Sequence, residues 1–189
     1  MNIKKYIQDS ISTKEKILND AQIISTIQKI VDVIVDAYRN GNKVLTAGNG
    51  GSACDSQHIA GELVAKFFIN REGLNAIALV NYISSLTAIS NDFGYEKSFS
   101  RQIQALSTKG DVFLALSTSG NSKNILMALE EAKNKGLITI GLVGEQECKM
   151  DNLCDYIIHV PSTITPNIQE AHIMIGHIIC ALVEETLFA

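Results

Sequence analysis

Short apolar runs, each bounded by glycine or polar residues, recur along this chain and constrain its fold more than any other feature. They occupy residues 43–47, 75–80, 112–116, 137–143 and 156–160. Most are continuously apolar rather than alternating, which is typical of strands covered on both faces in a parallel sheet. Because stretches with helical periodicity separate them, we predict an α/β fold with a doubly wound, mostly parallel sheet flanked by helices.

Helical patterns precede, separate and follow these strands. Residues 3–40 contain no proline or glycine and predict an N-terminal helical hairpin that Gly41 ends. Residues 54–68 and 122–135 also carry helical periodicity. The long last helix, residues 167–187, is apolar over much of its circumference. Such a helix must be buried, either in the core or against another subunit.

Length and composition limit the class of protein. The 189 residues suffice for one substantial core, so we expect a single domain, residues 1–189. The net charge of −4 is small and the basic residues are scattered, which argues against a nucleic-acid ligand. We expect no apolar stretch to approach the roughly 20 residues of a membrane span, and the first residues lack the apolar core of a signal peptide. We therefore expect a cytoplasmic protein with no membrane partner.

A glycine-rich segment follows the first predicted strand directly and leads into a helix. Its residues are Gly48, Asn49, Gly50, Gly51 and Ser52. Glycines let the backbone approach a ligand closely, and a helix N-terminus offers free N–H groups to an anion. Because the segment lacks the third glycine of a dinucleotide motif and the Gly-Lys-Ser/Thr of a Walker motif, it favours a small phosphorylated ligand. A simple tight turn is the alternative interpretation.

A hydroxyl-rich segment follows the strand at residues 112–116 and also leads into a helix. It reads Ser-Thr-Ser-Gly-Asn-Ser and presents the hydroxyl groups of Ser117, Thr118, Ser119 and Ser122. Neutral hydroxyls and backbone N–H groups can together surround a phosphate. The alternative, a helix cap, requires one hydroxyl only. We predict a phosphate site here.

Candidate groups for proton transfer lie on the helix after the glycine-rich segment. His58 and Glu62 are four residues apart and therefore share one face of that helix. An imidazole and a carboxylate in this arrangement can bind a divalent metal or relay a proton. An ordinary helical contact between the two side chains is the alternative.

The last helix adds polar residues among apolar neighbours. Polar groups in a buried helix need partners, so these side chains either complete hydrogen bonds in the core or face a site. They are Gln169, Glu170, His172 and His177. The remaining histidine, His159, lies near a strand end and is expected to be structural.

Four segments together resemble the phosphoheptose isomerase family, which belongs to the sugar-isomerase (SIS) domain class. They read GNGGSACDSQHIAGEL, SNDFGYEKSFSRQ, LSTSGNS and IQEAHIMIGH, and the resemblance covers nearly the entire chain. It implies an isomerase that converts sedoheptulose 7-phosphate to D-glycero-D-manno-heptose 7-phosphate through an enediol, for ADP- or GDP-heptose synthesis. It also implies a homotetramer with sites between subunits, to whose packing residues 1–40 contribute.

The resemblance assigns roles to individual residues. Glu62 would be the general base that moves a proton between C1 and C2, and His177 would be its partner acid or base. One Zn²⁺ per subunit would be bound by His58, Glu62, Gln169 and His177. The substrate-binding residues would be Asn49, Gly50, Gly51, Ser52, Asp92, Ser117, Thr118, Ser119, Ser122 and Gln169.

This chain departs from the family's pattern in three places. Residues 145–150 replace a glycine-rich turn of many relatives, and residues 165–167 also differ. Lys66 stands where many relatives have arginine, which keeps the charge but loses the planar fork of donors.

Two other functions are compatible with the fold. One is a non-catalytic SIS protein that serves as a protein-binding scaffold, similar to the replication-initiator-binding relative DiaA. Glu62, His177, His58 and Gln169 argue against it, because a scaffold has no need of them. The other is an isomerase of a different sugar phosphate, against which the motifs discriminate weakly.

Overall fold

Five parallel strands form one sheet in the part of the chain that the computed structural model describes, residues 2–189. The order β2-β1-β3-β4-β5, with every neighbouring pair parallel, confirms the predicted doubly wound sheet. The strands are β1 Val44–Ala47, β2 Ala76–Ala78, β3 Val112–Leu116, β4 Ile138–Val143 and β5 Tyr156–His159.

Within residues 2–189, seven α-helices surround this sheet. They are α1 Ile3–Leu18, α2 Ala21–Arg39, α3 Gly51–Val64, α4 Ile83–Phe93, α5 Ser100–Leu106, α6 Lys123–Asn134 and α7 Thr165–Phe188, with short 3-10 turns at Tyr95–Lys97 and Lys149–Asn152. The predicted N-terminal hairpin is α1 and α2. Asp20 separates the two helices because its carboxylate accepts the N–H groups of Gln22 and Ile23 at 2.9 and 3.1 Å, as an N-cap does.

Helices cover both faces of the sheet, as the apolar strands predicted. Successive strand residues point to opposite faces, so the side chains of Phe113 and Leu114 enter different cores. Phe113 belongs to the cluster that includes Leu129 of α6. Leu114 belongs to the cluster that includes Ile30 of α2 and Ile175 of α7. The sheet therefore exposes its edges and strand ends, and ligands have access at the carboxyl ends.

Helix α7 runs through the second of these clusters and packs against α2 and α3. With a mean hydropathy of 1.4 over its most apolar window, it is the one helix in residues 2–189 long and apolar enough to cross a membrane. Of that window 44% is buried inside the fold. Packing in the protein core accounts for part of its apolar character, and α7 departs from the expectation that no apolar stretch approaches the length of a membrane span.

The middle of the chain differs most from the sequence prediction. The sequence predicts helical segments between the strands but gives no bounds for them between residues 81 and 111, where the structure has α4 and α5. None of the residues of α4 is fully buried, and Leu86 is only partly buried against the core, so the apolar pattern of this helix is weak. The strand predicted at residues 75–80 is limited to Ala76–Ala78, because β2 is an edge strand that pairs with β1 alone.

Candidate active site

The two predicted ligand-binding segments lie side by side at the carboxyl edge of the sheet. They follow β1 and β3, which are neighbouring parallel strands. Gly50 adopts a φ of 57°, a left-handed conformation that favours glycine, and α3 begins at the next residue. Between the segments is a cavity of about 80 Å³, which is lined by Asn49, Ser52, Leu116, Ser117, Thr118, Ser122 and Gln169.

The hydroxyl-rich segment at residues 117–122 does not cap α6 with a side chain. Ser122 is the N-cap residue of α6, yet its side chain makes no capping hydrogen bond. Its Oγ lies 3.2 Å from Oγ of Ser117 instead, and both residues line the cavity. In the first turn of α6 the N–H of Ile125 donates to Oδ1 of Asn124 at 3.0 Å, but Ser122 caps none of the N–H groups. The helix N-terminus at this end of the cavity is therefore suitable for an anion.

The loop at residues 145–150, one of the departures from the family's pattern, packs behind the hydroxyl-rich segment. The N–H of Met150 donates to the carbonyl of Gly120 at 3.3 Å, and the N–H of Lys149 donates to Oδ1 of Asn121 at 3.1 Å. A Cβ atom on Gly120 would collide with the Cys148 side chain. This loop thus fixes the backbone of the segment from the side away from β1.

Asn49 is held in place by two side chains that the sequence analysis did not single out. Its amide exchanges two hydrogen bonds of 2.9 Å with the amide of Asn124, and the hydroxyl of Tyr95 donates to its Oδ1 at 2.7 Å. The side chain of Asn49 is therefore oriented before any ligand arrives. Neither partner carries a local sequence signal, because both contacts join residues far apart in the chain.

His58, Glu62 and His177 converge at the far end of α3. Nε2 of His58 lies 3.1 Å from Oε1 of Glu62 and 3.4 Å from Nε2 of His177. One ligand atom from each of the three residues lies within 4.8 Å of the others. Tetrahedral zinc ligands about 2.0–2.1 Å from the metal are separated by about 3.4 Å, which is the spacing of the two imidazole nitrogens. The three residues therefore fit a divalent metal.

The family follows from comparison with known proteins. The SIS domain family matches residues 5–144. Phosphoheptose isomerase 2 of Campylobacter jejuni is 59% identical over 186 residues, which are 98% of this chain and 92% of the relative. The chain belongs to the phosphoheptose isomerase family. The phosphoheptose isomerase of Aneurinibacillus thermoaerophilus is 56% identical, over 98% of this chain and 94% of the relative.

A solved member of the phosphoheptose isomerase family has the same fold. The phosphoheptose isomerase structure from Francisella tularensis superimposes with a TM-score of 0.93 at 34% identity, and the match covers 97% of each chain. The match includes the N-terminal hairpin and α7, so both are part of the family's fold. The fold class predicted from the sequence is confirmed.

Two residues that the family resemblance assigns to the site lie away from the three-residue group. Gln169 is eight residues before His177, about 12 Å along α7. Its side-chain amide packs directly against Gly51, because the amide atoms lie within 3.0 Å of the position that a Cβ atom on Gly51 would take. It lines the cavity near the hydroxyl groups. Asp92 lies on the exposed helix α4, where its Oδ1 accepts from Asn91.

The other polar residues of α7, and His159, have structural contacts. His172 is fully buried, its Nε2 lies 3.2 Å from the carbonyl of Val143, and burial lowers its pKa to about 4. Glu170 accepts from Ser10 and Lys14 of α1. His159 contacts Asp151 and the Gly144 carbonyl, as expected for a structural residue. Those ring nitrogens lie 2.9 and 3.0 Å from their partners.

Asp55 is an acidic residue of α3 close to His58 that the sequence analysis did not single out. It lies seven residues before Glu62 and therefore on the same face of α3. Its Oδ2 is buried and has no hydrogen-bond partner among residues 2–189. Burial raises the pKa of this carboxyl, and the neighbouring His58 opposes the rise.

Proposed function

We propose that this chain interconverts sedoheptulose 7-phosphate and D-glycero-D-manno-heptose 7-phosphate, for ADP- or GDP-heptose synthesis. The observation that carries the proposal is the approach of Glu62 and His177, whose polar atoms lie within 4.8 Å although they come from different helices. The names of relatives that match nearly the whole chain support this reaction. They also disfavour the scaffold and the isomerase of another sugar phosphate.

The reaction requires two proton movements, one between carbons and one between oxygens. Glu62 would remove a proton from C1 of the ketose and return it to C2 of the enediol. His177 would give a proton to the oxygen on C2 and take one from the oxygen on C1. The two side chains supply both transfers, and the net change is the exchange of carbonyl and hydroxyl between the two carbons.

A zinc ion is the proposed cofactor. His58, Glu62 and His177 would bind it, and Gln169 is the fourth ligand that the family resemblance assigns. In this structure Gln169 would have to turn from Gly51 toward the histidines to take that position. A bound divalent cation supplies positive charge that polarises the carbonyl and stabilises an enediolate. The facing nitrogens of His58 and His177 support this role, because a metal would satisfy both lone pairs.

The phosphate of the substrate would bind at the hydroxyl-rich segment. Ser117, Thr118, Ser119 and Ser122 would hold it together with the N-terminus of α6, and Gly50, Gly51 and Ser52 would close the cavity from the β1 side. Asn49, Asp92 and Gln169 would contact the sugar. Gln169 lines the cavity and lies about 12 Å along α7 from His177, so the cavity and the histidines are about this far apart. An opened seven-carbon chain with its phosphate is of this length.

We also propose a single cytoplasmic domain, residues 1–189, that assembles into a homotetramer with sites between subunits. The N-terminal helices support this assembly: an apolar groove of about 370 Å³ lies between α1, α2 and α7. Exposed apolar side chains extend the groove along α1, among them Ile3, Tyr6, Ile7 and Ile11. The exposed helix α4 would bring Asp92 to the site of another subunit.

The decisive experiment supplies the purified protein with sedoheptulose 7-phosphate and follows aldose formation. We expect turnover with added zinc and its loss in His177→Ala, while size-exclusion chromatography shows the same assembly for both proteins. Thr186→Ala is the control, because this exposed α7 residue bonds to its own helix through the Leu182 carbonyl. Wild-type turnover by His177→Ala would refute the role of this imidazole.

A further inference from the structure

A buried ion pair lies directly behind the His58–Glu62–His177 group. Nε of Arg71 donates to Oε2 of Glu184 at 2.8 Å, and the two side chains are only 2% and 1% exposed. Arg71 lies in the loop after α3, and Glu184 lies on α7. The pair therefore joins the two helices that carry the proposed catalytic groups.

The carboxylate of Glu184 organises the whole loop after α3. It accepts the backbone N–H groups of Phe67, Phe68 and Ile69 at 2.8, 2.5 and 2.6 Å. Burial alone would raise the pKa of Glu184, but these N–H groups and Arg71 lower it to about 2. The side chain is thus ionised at neutral pH, and both carboxylate oxygens accept hydrogen bonds.

Arg71 closes the end of α3 at the same time. Its Nη2 donates to the carbonyl of Glu62 at 3.1 Å and its Nη1 donates to the carbonyl of Leu63 at 2.9 Å. The last carbonyls of a helix have no partner within the helix, so the guanidinium supplies one. The backbone of the proposed general base is therefore fixed by a side chain that is itself fixed by α7.

His177 is fixed through the same loop. The ring of Phe67 lies 5.6 Å from the imidazole of His177, measured between centroids. Glu184 follows His177 by seven residues and shares its face of α7. Holding the N–H of Phe67 therefore also sets the position of the ring that borders His177.

We propose that Arg71 and Glu184 are positioning residues for the isomerisation. Together they set the distance and orientation of His58 and Glu62, on α3, relative to His177 on α7. This inference rests on the proposed function for the roles of those three residues. Neither Arg71 nor Glu184 would contact the substrate or the metal.

A second buried ion pair provides a matched control. Nζ of Lys43 lies 2.7 Å from Oδ2 of Asp111, with 13% and 0% of the side chains exposed. Lys43 and Asp111 immediately precede β1 and β3, at the amino edge of the sheet and opposite the site. Loss of this pair should lower stability without moving the catalytic groups.

The test compares Glu184→Gln with Asp111→Asn, each of which replaces a buried carboxylate by an amide. Arg71→Lys is the second variant, because it keeps the charge but loses the planar fork that reaches both carbonyls and the carboxylate. We measure kcat, KM, Tm and the affinity of the metal-depleted protein for Co²⁺, followed by visible absorption. All assays are run well below the lowest Tm.

For Glu184→Gln and Arg71→Lys we expect kcat to fall about tenfold or more, with KM little changed, and Co²⁺ affinity to fall about 10–100-fold. Asp111→Asn should lower Tm alone. Wild-type kcat and Co²⁺ affinity in both site variants would overturn the positioning role and leave the pair purely structural. If the wild type failed to isomerise the heptulose, the proposed function would fail, and the Co²⁺ affinities alone would decide this inference.

Discussion

Nε2 of His177 lies 3.4 Å from Nε2 of His58, although 119 residues separate the two histidines along the chain. At this distance the two nitrogens can share a hydrogen bond or bind one metal ion, whereas two lone pairs facing each other would repel. Oε1 of Glu62, 3.1 Å from the same nitrogen of His58, adds a negative charge. The arrangement favours a cation between the three side chains.

Metal removal should therefore lower turnover. We expect dialysis against a chelator to reduce kcat and added Zn²⁺ to restore it, because the cation stabilises the enediolate. His58→Ala should lower Zn²⁺ affinity, which isothermal titration calorimetry of the metal-depleted protein measures. Full activity of metal-depleted wild type, with less than one metal per ten subunits by elemental analysis, would contradict the metal's role.

Replacement of the proposed base should remove proton transfer without unfolding the protein. Glu62→Gln keeps the size of the side chain but not its basicity, and we expect kcat to fall about 10²–10⁴-fold. Exchange of the C1 hydrogen with deuterated water, followed by NMR, should stop as well. Glu185→Gln, an exposed change on the last turn of α7, is the control. Continued exchange in Glu62→Gln would identify another residue as the base.

The hydroxyl-rich segment should act on substrate affinity. We expect Ser119→Ala to raise KM or to weaken competitive inhibition by inorganic phosphate, because one neutral donor to the phosphate is lost, about 1 kcal/mol or about fivefold. Thr26→Ala removes a hydroxyl on α2 that donates to the Gln22 carbonyl of its own helix, and it should change neither value. If Ser119→Ala moves neither KM nor phosphate inhibition, its hydroxyl serves the turn alone, where it accepts the N–H of Asn121.

Gly120 should tolerate no side chain. Its φ of 61° is left-handed, and a Cβ atom would collide with Cys148. We expect Gly120→Ala to lower the free energy of unfolding by about 1–3 kcal/mol and to raise KM, since the neighbouring hydroxyls move. Gly41→Ala is a matched control, because φ is 76° there and no atom lies within 4 Å of the added Cβ. Equal effects of the two changes on KM would exclude a role of the Cys148 contact.

His172 should make stability depend on pH in the mildly acidic range. Its pKa falls from 6.5 to about 4 on burial, so below pH 6.5 the unfolded chain binds a proton that the folded chain does not. Stability is therefore lost as pH falls, by about 2 kcal/mol at pH 5. The low pKa of Glu184 adds its own loss only below pH 4.5.

Urea unfolding at pH 7.5 and pH 5 measures this dependence. His172→Gln should flatten it, because glutamine does not titrate and can still donate to the Val143 carbonyl. The same loss of stability in wild type and variant would assign the pH dependence to other groups.

The sequence by itself determined the sheet and the location of the ligand-binding segments. Continuous apolar runs indicate strands that are buried on both faces of the sheet. Glycine and hydroxyl residues directly after strands indicate the carboxyl edge, where ligands bind. Both patterns can be recognised in the sequence because they involve residues close together in the chain. The predicted strands beginning at residues 43, 112, 137 and 156 agree with β1, β3, β4 and β5 to within one residue at each end. His58 and Glu62 share a face through helix geometry alone.

Tertiary structure decided what depends on residues distant in the chain. The helix predicted to continue to residue 68 ends at Val64, because the N–H groups of Phe67, Phe68 and Ile69 bond to Glu184 of α7 instead of continuing the helix. The position of Gln169 beside Gly51, and the contact between His58 and His177, likewise depend on how α3 packs against α7. Periodicity shows which face of a helix is apolar, but not which residue of another helix it meets, because that is fixed only when both helices pack on the same face of the sheet.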